Sequence, residues 1–510
     1  MFDFSSIGFM KKSNFHKVVV SPEDPVHEAM RRIDAGGMGL VLVVGADGRL
    51  QGTVTDGDLR RGMLRGVGGD ALVRLVMNPT PVTARADASE EEVLHLIQSR
   101  SLRHVPIVDG AMHLVGLEVS ADLSGQVSLA VPWFAGNEMK YLQEAIETTW
   151  VSSAGPFVAR FEEAVADWIG ARHAVATVNG TAALHISLLV AGVQPDEEVL
   201  VPALSFVATA NAVSYCGAHP VFMDVDRESW NLDPEKLRNY LEEEATVQNG
   251  QTVNQRTGRR IRAVLPVQLL GHPADMDPIL EVARRFGLAV IEDACQALGA
   301  LYKGRPAGCL GDVACFSFNG NKVVTAGGGG MLVSNEEGLA MRARHLTTQA
   351  RDSEEECSHD AIGFNYRLTN VCAAIGLAQM ERLKEFLQRK RQIAERYREA
   401  LRDTPGLSCM PTADWATASV WLFTVLVETG GEGAAAHLVT HLRERGIESR
   451  RLWQPLHTLP MYAREMAYRV TVAPDLFARG VALPSSVHLQ ETEQDRVIDC
   501  LLEWVRGVSP

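Results

Sequence analysis

Hydrophobic and polar positions along this chain change their period twice. Between residues 13 and 125 short apolar runs alternate with amphipathic segments. PVHEAMRRI has the spacing of a helix, and VLVVGADGRLQGTVTDGDL reads as two strands around an Asp47-Gly48 turn, then a helix start. The same order returns in ASEEEVLHLI and VPIVDGAMHLVGLEVSADL, around Asp109-Gly110. Gly52 and Gly116 correspond, 64 positions apart, so this part is an internal repeat. Ser89 with Glu92 predicts a capping box for the second copy's helix. Residues 126–135, QVSLAVPWFA, read as a linker.

From Gly136 a longer alternation of strands and helices begins. NEMKYLQEAIETTW is an amphipathic helix with Met139, Leu142, Ile146 and Trp150 on one apolar stripe. AVATVNGTAALHISLLVAGV predicts a strand, an Asn-Gly-Thr turn and a helix, and EEVLVPALSFVATANAVSYCGAHPVFMDVD continues the alternation. Residues 241–260 are polar and turn-rich, an exposed excursion. Leu288–Ile291 and Ala314–Phe318 read as buried strands. Leu383, Leu387, Ala394, Tyr397 and Leu401 mark a long helix, WLFTVLVE a strand, and HLVTHLRERGIE a helix closed by Gly446. The expected organisation is α/β: a large domain over 136–379 and a smaller α/β domain over 380–510.

Composition narrows the classes. The chain has 510 residues, 46% hydrophobic and 22% charged, as in ordinary globular proteins. A net charge of −14 argues against a nucleic-acid partner, which needs a basic face. The eight cysteines show no CxxC or Cys/His metal spacing, so no metal site is expected and the thiols read as reduced. The N-terminus lacks a signal-peptide pattern and no window has the apolar length of a membrane span. Cytoplasmic location without membrane association is the expectation.

Candidate chemistry centres on Val290–Met331. Its first strand ends in Glu292 and Asp293, where α/β sheets place ligands. Lys322 follows Asp293 by 29 residues, just before the glycine run Gly327–Gly330. One acid and one lysine facing one crevice is what pyridoxal phosphate requires: the amine forms a Schiff base, and the acid keeps the pyridine nitrogen protonated. A structural Asp and a surface Lys is the plainer alternative. Thr181 and Ala182 would open a helix, where free N–H groups favour a phosphate. Phe206 lies past a strand end, placed to lie on a flat cofactor or simply to pack in the core.

Residues 13–125 resemble a tandem pair of cystathionine-β-synthase (CBS) domains. Such pairs commonly bind adenine nucleotides, and the family's ribose-contact pattern matches Thr55 and Asp58. The second copy has Val119 in place of the threonine, with Asp122 retained. A purely structural or dimerising module is the alternative.

Residues 136–510 resemble the sugar aminotransferases of the DegT/DnrJ/EryC1/StrS family, through SSAGPFVARFE, NGTAALH, VPALSFVATANAV, GHPADMD, VIEDACQALGA, FSFNGNK and GFNYRLTN in that order. The resemblance implies a fold-type I pyridoxal-phosphate enzyme with a mixed seven-stranded sheet. It implies that Lys322 carries the cofactor and shuttles protons, that Asp293 pairs with the pyridine nitrogen and that Gln296 donates to the ring hydroxyl. Phe206 would pack on the ring, and Thr181, Ala182 and Ser317 would hold the phosphate. Asn365 would reach the phosphate of a neighbouring subunit, making the protein a homodimer with shared sites. FSFNGNKVVTAGGGGM, LTTQA and the polar insert look most like the LegC-type branch. That branch moves an amino group from glutamate to C4 of a nucleotide-linked 4-keto-6-deoxy-N-acetylhexosamine, usually carried by uridine diphosphate. The products are amino sugars of surface glycans, of legionaminic acid or bacillosamine type.

His272, Asn321 and Gln349 are candidate substrate contacts, each with a structural role as the alternative. Other readings stay open: a guanosine-diphosphate 4-keto-6-deoxymannose aminotransferase of perosamine type, or a nucleotide-sensing protein on an inactive aminotransferase scaffold. Sugar dehydratases on this fold carry His where this chain has Lys322, which argues against that reaction.

Overall fold

The computed structural model describes residues 18–508, except 37–38, 90–91, 94–95, 98–101, 103, 120–125 and 353–357. The chain divides into two compact units, residues 1–126 and 127–510.

In the first unit the repeat is visible in strand register. Val20 lies beside Val43 and Ala84 beside Ile107; Val43 faces Gly52 and Ile107 faces Gly116; Leu40 faces Thr55 and His104 faces Val119. Every pair recurs after 64 residues, as do the bulges after Val43 and Ile107. The two hairpin turns also bond each other: Leu50 N–H donates to Met112 O (2.9 Å) and Leu114 N–H to Gly48 O (3.2 Å). Each copy is thus a three-stranded sheet, and the bonds between the two turns are reciprocal. Gly52 is required by crowding, since a Cβ there would stand 2.6 Å from Asn78 O. The Ser89–Glu92 capping box forms, with Glu92 N–H donating to Ser89 Oγ (3.3 Å) and Ser89 N–H to the Glu92 carboxylate (2.8 Å). Asp122 lies outside the described residues.

The second unit begins earlier than the sequence pattern suggested. Residues 127–131, expected as linker, are a strap bound to the C-terminal part of the unit. Val127 pairs in parallel with Ile447. Val127 N–H donates to Gly446 O and Glu448 N–H to Val127 O, both at 2.8 Å. Val127 and Leu129 are buried.

The main sheet has eight strands, numbered here in chain order: β1 His173–Thr177, β2 Glu198–Pro202, β3 His219–Met223, β4 Ile261–Val264, β5 Ala289–Asp293, β6 Val313–Ser317, β7 Gly330–Ser334 and β8 Ala467–Tyr468. Across the sheet they run β8-β3-β2-β4-β5-β6-β7-β1. The expected seven strands all come from residues 173–334; the eighth is a two-residue edge strand from the C-terminal part, parallel to β3. Strand β7 is antiparallel to both its neighbours, which makes the sheet mixed. Strands β2 and β7 are buried at every position and β3 at all but its first, close to the continuous apolar pattern of a sheet covered on both faces.

The C-terminal part builds its own antiparallel sheet, with Phe423–Val427 and Gly480–Leu483 at its centre and Leu407–Cys409 and Arg450–Arg451 outside. Helices Leu383–Leu401, Ala434–Glu444 and Glu491–Val508 cover it, with Ile393, Tyr397, Leu438, Leu501 and Trp504 in a shared core.

Two expectations change. The 241–260 excursion is a hairpin, Ala245–Gln248 with Gln251–Asn254, and Asn254 is fully buried, donating to Glu198 (2.8 Å) and Tyr240 (3.1 Å). Helix Glu138–Glu147 buries Glu138, Tyr141 and Ala145, so Met139, Ile146 and Trp150 are 78%, 62% and 51% exposed.

Candidate active site

Side chains alternate along a strand, so adjacent acids at the end of β5 must point to opposite faces of the sheet. Glu292 takes the structural side. Its buried carboxylate accepts from Gly308 N–H (2.9 Å), Leu310 N–H (2.7 Å), Gly311 N–H (2.8 Å) and the Gln268 amide (2.9 Å). Asp293 faces a cavity of about 400 Å³ at the carboxyl ends of the strands. Thr209 Oγ1 donates to Asp293 Oδ2 (2.7 Å), Cys295 N–H donates to Oδ1 (3.2 Å), and Ser205 hydrogen-bonds Thr209 (2.9 Å).

The same cavity receives Thr181, Phe206, Gln296, Ser317, Asn321 and Lys322. Phe206 is 51% exposed, a ring face open for stacking. Gln296 accepts from Leu270 N–H (2.7 Å) at its carbonyl oxygen, which leaves the amide donors for a ligand. Asn179 caps helix Gly180–Val190 by accepting from Ala182 N–H (2.8 Å). The Ala182 amide is therefore taken, and Gly180 and Thr181 supply the free N–H groups of that first turn. A Cβ at Gly180 would sit 2.8 Å from Ser317 Cβ and 3.1 Å from Cys295 Sγ, so only glycine lets the helix start meet the end of β6.

The Lys322 amine lies 3.7 Å from the centre of the Trp421 ring. Desolvation lowers its pKa to about 8, against weaker opposing pulls from Cys295 and Asp293. Burial, aided by Asp293, pushes the neighbouring Cys295 thiol upward and keeps it protonated. Trp421, Trp453, Glu448, Arg450 and Arg451 close the cavity from the C-terminal part, and Leu129 and Ala130 from the strap. These, with Asn179 and Thr209, were missed in the sequence. Some had a signal: Asn179 stands in the Asn-Gly-Thr turn before a helix, and Thr209 stands four residues after Ser205.

Three other candidates lie outside the cavity wall. His272 is buried and uses both ring nitrogens structurally: Nδ1–H donates to Pro273 O (2.8 Å) and Nε2 accepts from Ala413 N–H (3.1 Å). Burial holds this imidazole neutral by lowering its pKa. Gln349 adopts a left-handed conformation (φ 68°), its carbonyl accepting from His359 (2.8 Å). Asn365 is exposed, and its backbone pairs with Thr348. In the first unit, Thr55 and Asp58 form a capping box at the start of a helix, Thr55 Oγ1 donating to Asp58 (2.6 Å).

These residues suit pyridoxal phosphate. A glycine-floored helix start and a serine hydroxyl offer donors for a phosphate, an exposed ring can cover a pyridine face, and a buried acid and a lysine of lowered pKa face one space. Among the described residues no His/Cys/Asp/Glu group suited to a metal occurs, and no helix is long and apolar enough to cross a membrane. The seven described cysteines are free; Cys357 lies outside the described residues.

Comparison with known proteins agrees. Residues 134–502 match the model of the DegT/DnrJ/EryC1/StrS aminotransferase family, and residues 8–65 and 73–117 match the CBS domain. The chain is similar to the GDP-perosamine synthase of Caulobacter vibrioides, 41% identical over 74% of this chain and 97% of that one. It is 36% identical to the GDP-perosamine synthase of Escherichia coli O157:H7, over 73% of this chain and 97% of that one. Among solved structures it is similar to S. venezuelae DesV, with a TM-score of 0.66 and 31% identity over 75% of this chain and 100% of that one.

Proposed function

This chain belongs to the DegT/DnrJ/EryC1/StrS aminotransferase family, and on that premise we propose that it moves an amino group from glutamate to C4 of a nucleoside-diphosphate-linked 4-keto-6-deoxyhexose. It is a pyridoxal-phosphate-dependent nucleotide-sugar aminotransferase. The observation that supports amino transfer is the meeting of Asp293, Lys322 and the Gly180 helix start in one cavity.

Pyridoxal phosphate, when bound, supplies the electron sink that lets an amino group leave one carbon and join another. Lys322 would hold the cofactor through its amine and carry the proton; an amine with a pKa of about 8 is partly free near neutral pH. Asp293, oriented by Thr209, would keep the pyridine nitrogen charged. Gln296 would donate to the ring hydroxyl, Phe206 would cover the ring, and Gly180, Thr181 and Ser317 would cradle the phosphate.

The relatives named GDP-perosamine synthase favour a guanosine carrier and 4-keto-6-deoxymannose. The glycine run, the LTTQA segment and the hairpin at 245–254 motivate the alternative, a uridine-linked N-acetylhexosamine. Incubating the protein with glutamate and a panel of both sugars, with mass detection of aminated product, decides between them. Amination of neither sugar, with Lys322 not trapped by borohydride in the presence of cofactor, would refute the assignment.

Two further parts belong to the same reading. Exposed Met139, Ile146, Trp150 and Ile362 are the apolar cover expected of a two-fold dimer, with Asn365 reaching the partner's phosphate site. A monomeric mass in solution would exclude this. Thr55 and Asp58 are proposed to meet the ribose of an adenine nucleotide; equilibrium dialysis without retention of AMP, ADP or ATP would exclude that.

A further inference from the structure

Lys390 interrupts the apolar face of helix Leu383–Leu401. Its neighbours on that face are Phe386, Leu387, Ile393, Ala394 and Tyr397, all buried. Lys390 itself is only 4% exposed. Its amine donates to two backbone carbonyls, Trp421 O at 2.7 Å and Ser485 O at 2.5 Å. Desolvating an amine is costly, and burial lowers this one to about 7. A methionine would fill the same space without that cost. The amine is therefore explained by what its two acceptors do.

The first acceptor belongs to the residue beneath the cofactor lysine. Trp421 is held at three points: its carbonyl by Lys390, its indole Nε1–H by donation to Asn321 O (2.6 Å), and its ring by near-parallel stacking on Trp453 (6.2 Å, 15°). It therefore grips the site twice, at the backbone just before Lys322 and under the Lys322 amine at 3.7 Å. A positive amine is attracted to an indole face, so the ring fixes where the side chain rests. The second acceptor belongs to the segment that anchors the strap. Ser485 N–H donates to Leu129 O (2.8 Å), and Phe423 N–H donates to Ser485 Oγ (2.9 Å). Leu129 lines the cavity from the strap. One buried amine thus ties the tryptophan beside Lys322 to the segment that anchors the strap on the cavity wall.

We propose that Lys390 and Trp421 are positioning residues for Lys322: the buried amine holds the tryptophan, and the tryptophan holds the Lys322 side chain ready for the cofactor. The proposal rests on the assignment of Lys322 as the cofactor lysine.

The test uses the full chain freed of cofactor and mixed with excess pyridoxal phosphate. Absorbance of lysine-bound cofactor gives a loading rate, and borohydride reduction followed by peptide mass spectrometry reports whether Lys322 carries the label. Lys390→Met and Trp421→Leu should each load at least tenfold more slowly than the unchanged chain. The double variant should load no more slowly than Trp421→Leu alone, because both changes act through one ring. Loading at the unchanged rate in either folded single variant overturns the proposal, as does a double variant slowed by the product of the single effects. Melting curves show which variants fold; should Lys390→Met not fold, the rate of Trp421→Leu decides. Labelling absent from Lys322 in the unchanged chain removes the lysine assignment and the proposal together, whereas labelling there with unslowed variants removes the positioning role alone.

Discussion

Replacing Gly180 by alanine tests the geometry of the phosphate end of the cavity. The residue occupies the first position of helix Gly180–Val190 with no unusual backbone angle. Helix propensity alone would favour alanine there by up to about 1 kcal/mol. The structure reverses that sign. The added Cβ would stand 2.8 Å from Ser317 Cβ and 3.1 Å from Cys295 Sγ, whereas carbon atoms rest at roughly 3.5–4.0 Å. Ser317 ends β6, which is paired on both sides within the sheet, so the helix start must yield. Overpacking of this kind costs about 1–3 kcal/mol. The displaced groups are the Gly180 and Thr181 amides, so the cost appears in cofactor binding. At about 1.4 kcal/mol per decade, Gly180→Ala should weaken pyridoxal phosphate binding roughly fivefold to a hundredfold. Gly338→Ala is the control: it lies in helix Glu337–Thr347 with nothing within 4 Å of the new Cβ. It should leave cofactor affinity unchanged and stabilise by up to about 1 kcal/mol. Equilibrium titration followed by absorbance, with melting curves of each variant, supplies the comparison. Cofactor binding by Gly180→Ala within twofold of the unchanged chain would refute the cradle.

Lys322, with its amine near pKa 8, should attach cofactor at a rate that climbs through pH 8 rather than 10.5. At pH 7 about a tenth of the amine is uncharged, against roughly one part in three thousand for an ordinary lysine. Between these two values the unfolded chain holds a proton that the folded one lacks, so this group's contribution to stability rises with pH across that window; a loading rate still climbing at pH 10 would contradict both statements. Thr209→Val removes the hydroxyl donor to Asp293 at nearly constant volume, and a bond to a charged acceptor is worth about 1.5–3 kcal/mol. Cofactor affinity should fall with it, and Ser205→Ala, one bond further out, should cost less. His272→Ala strands the Ala413 amide and should lower the melting temperature while kcat and both KM values stay within about threefold; lost turnover in a variant that melts normally would restore His272 to the substrate site.

What could be read in the chain, and what could not, follows from the range of each signal. The repeat was legible because a duplication of 64 residues preserved every strand pairing as well as the glycines. Asp293 and Lys322 were legible because strand end, acid, second strand and lysine lie within one continuous stretch. The far wall of the cavity was not: Trp421, Arg450 and Arg451 arrive from a hundred residues beyond Lys322, and no local pattern marks a side chain whose partner is fixed only by tertiary packing. Residues 127–131 looked like a linker because their strand partner, Ile447, lies some three hundred residues later, although buried Val127 and Leu129 keep the two-residue period of a strand. Periodicity reports which face of an element is apolar but not what covers it, so Met139, Ile146 and Trp150 form a true stripe that the folded single chain leaves open. Lys390 shows the opposite case. A lysine within a run of buried Leu, Phe, Ile and Tyr positions breaks the pattern, and the break itself marks the place where a polar bond is needed inside the core. An interruption in a regular stripe therefore points to structure that local propensity cannot describe, and in this chain it leads, through Trp421, to the cofactor lysine.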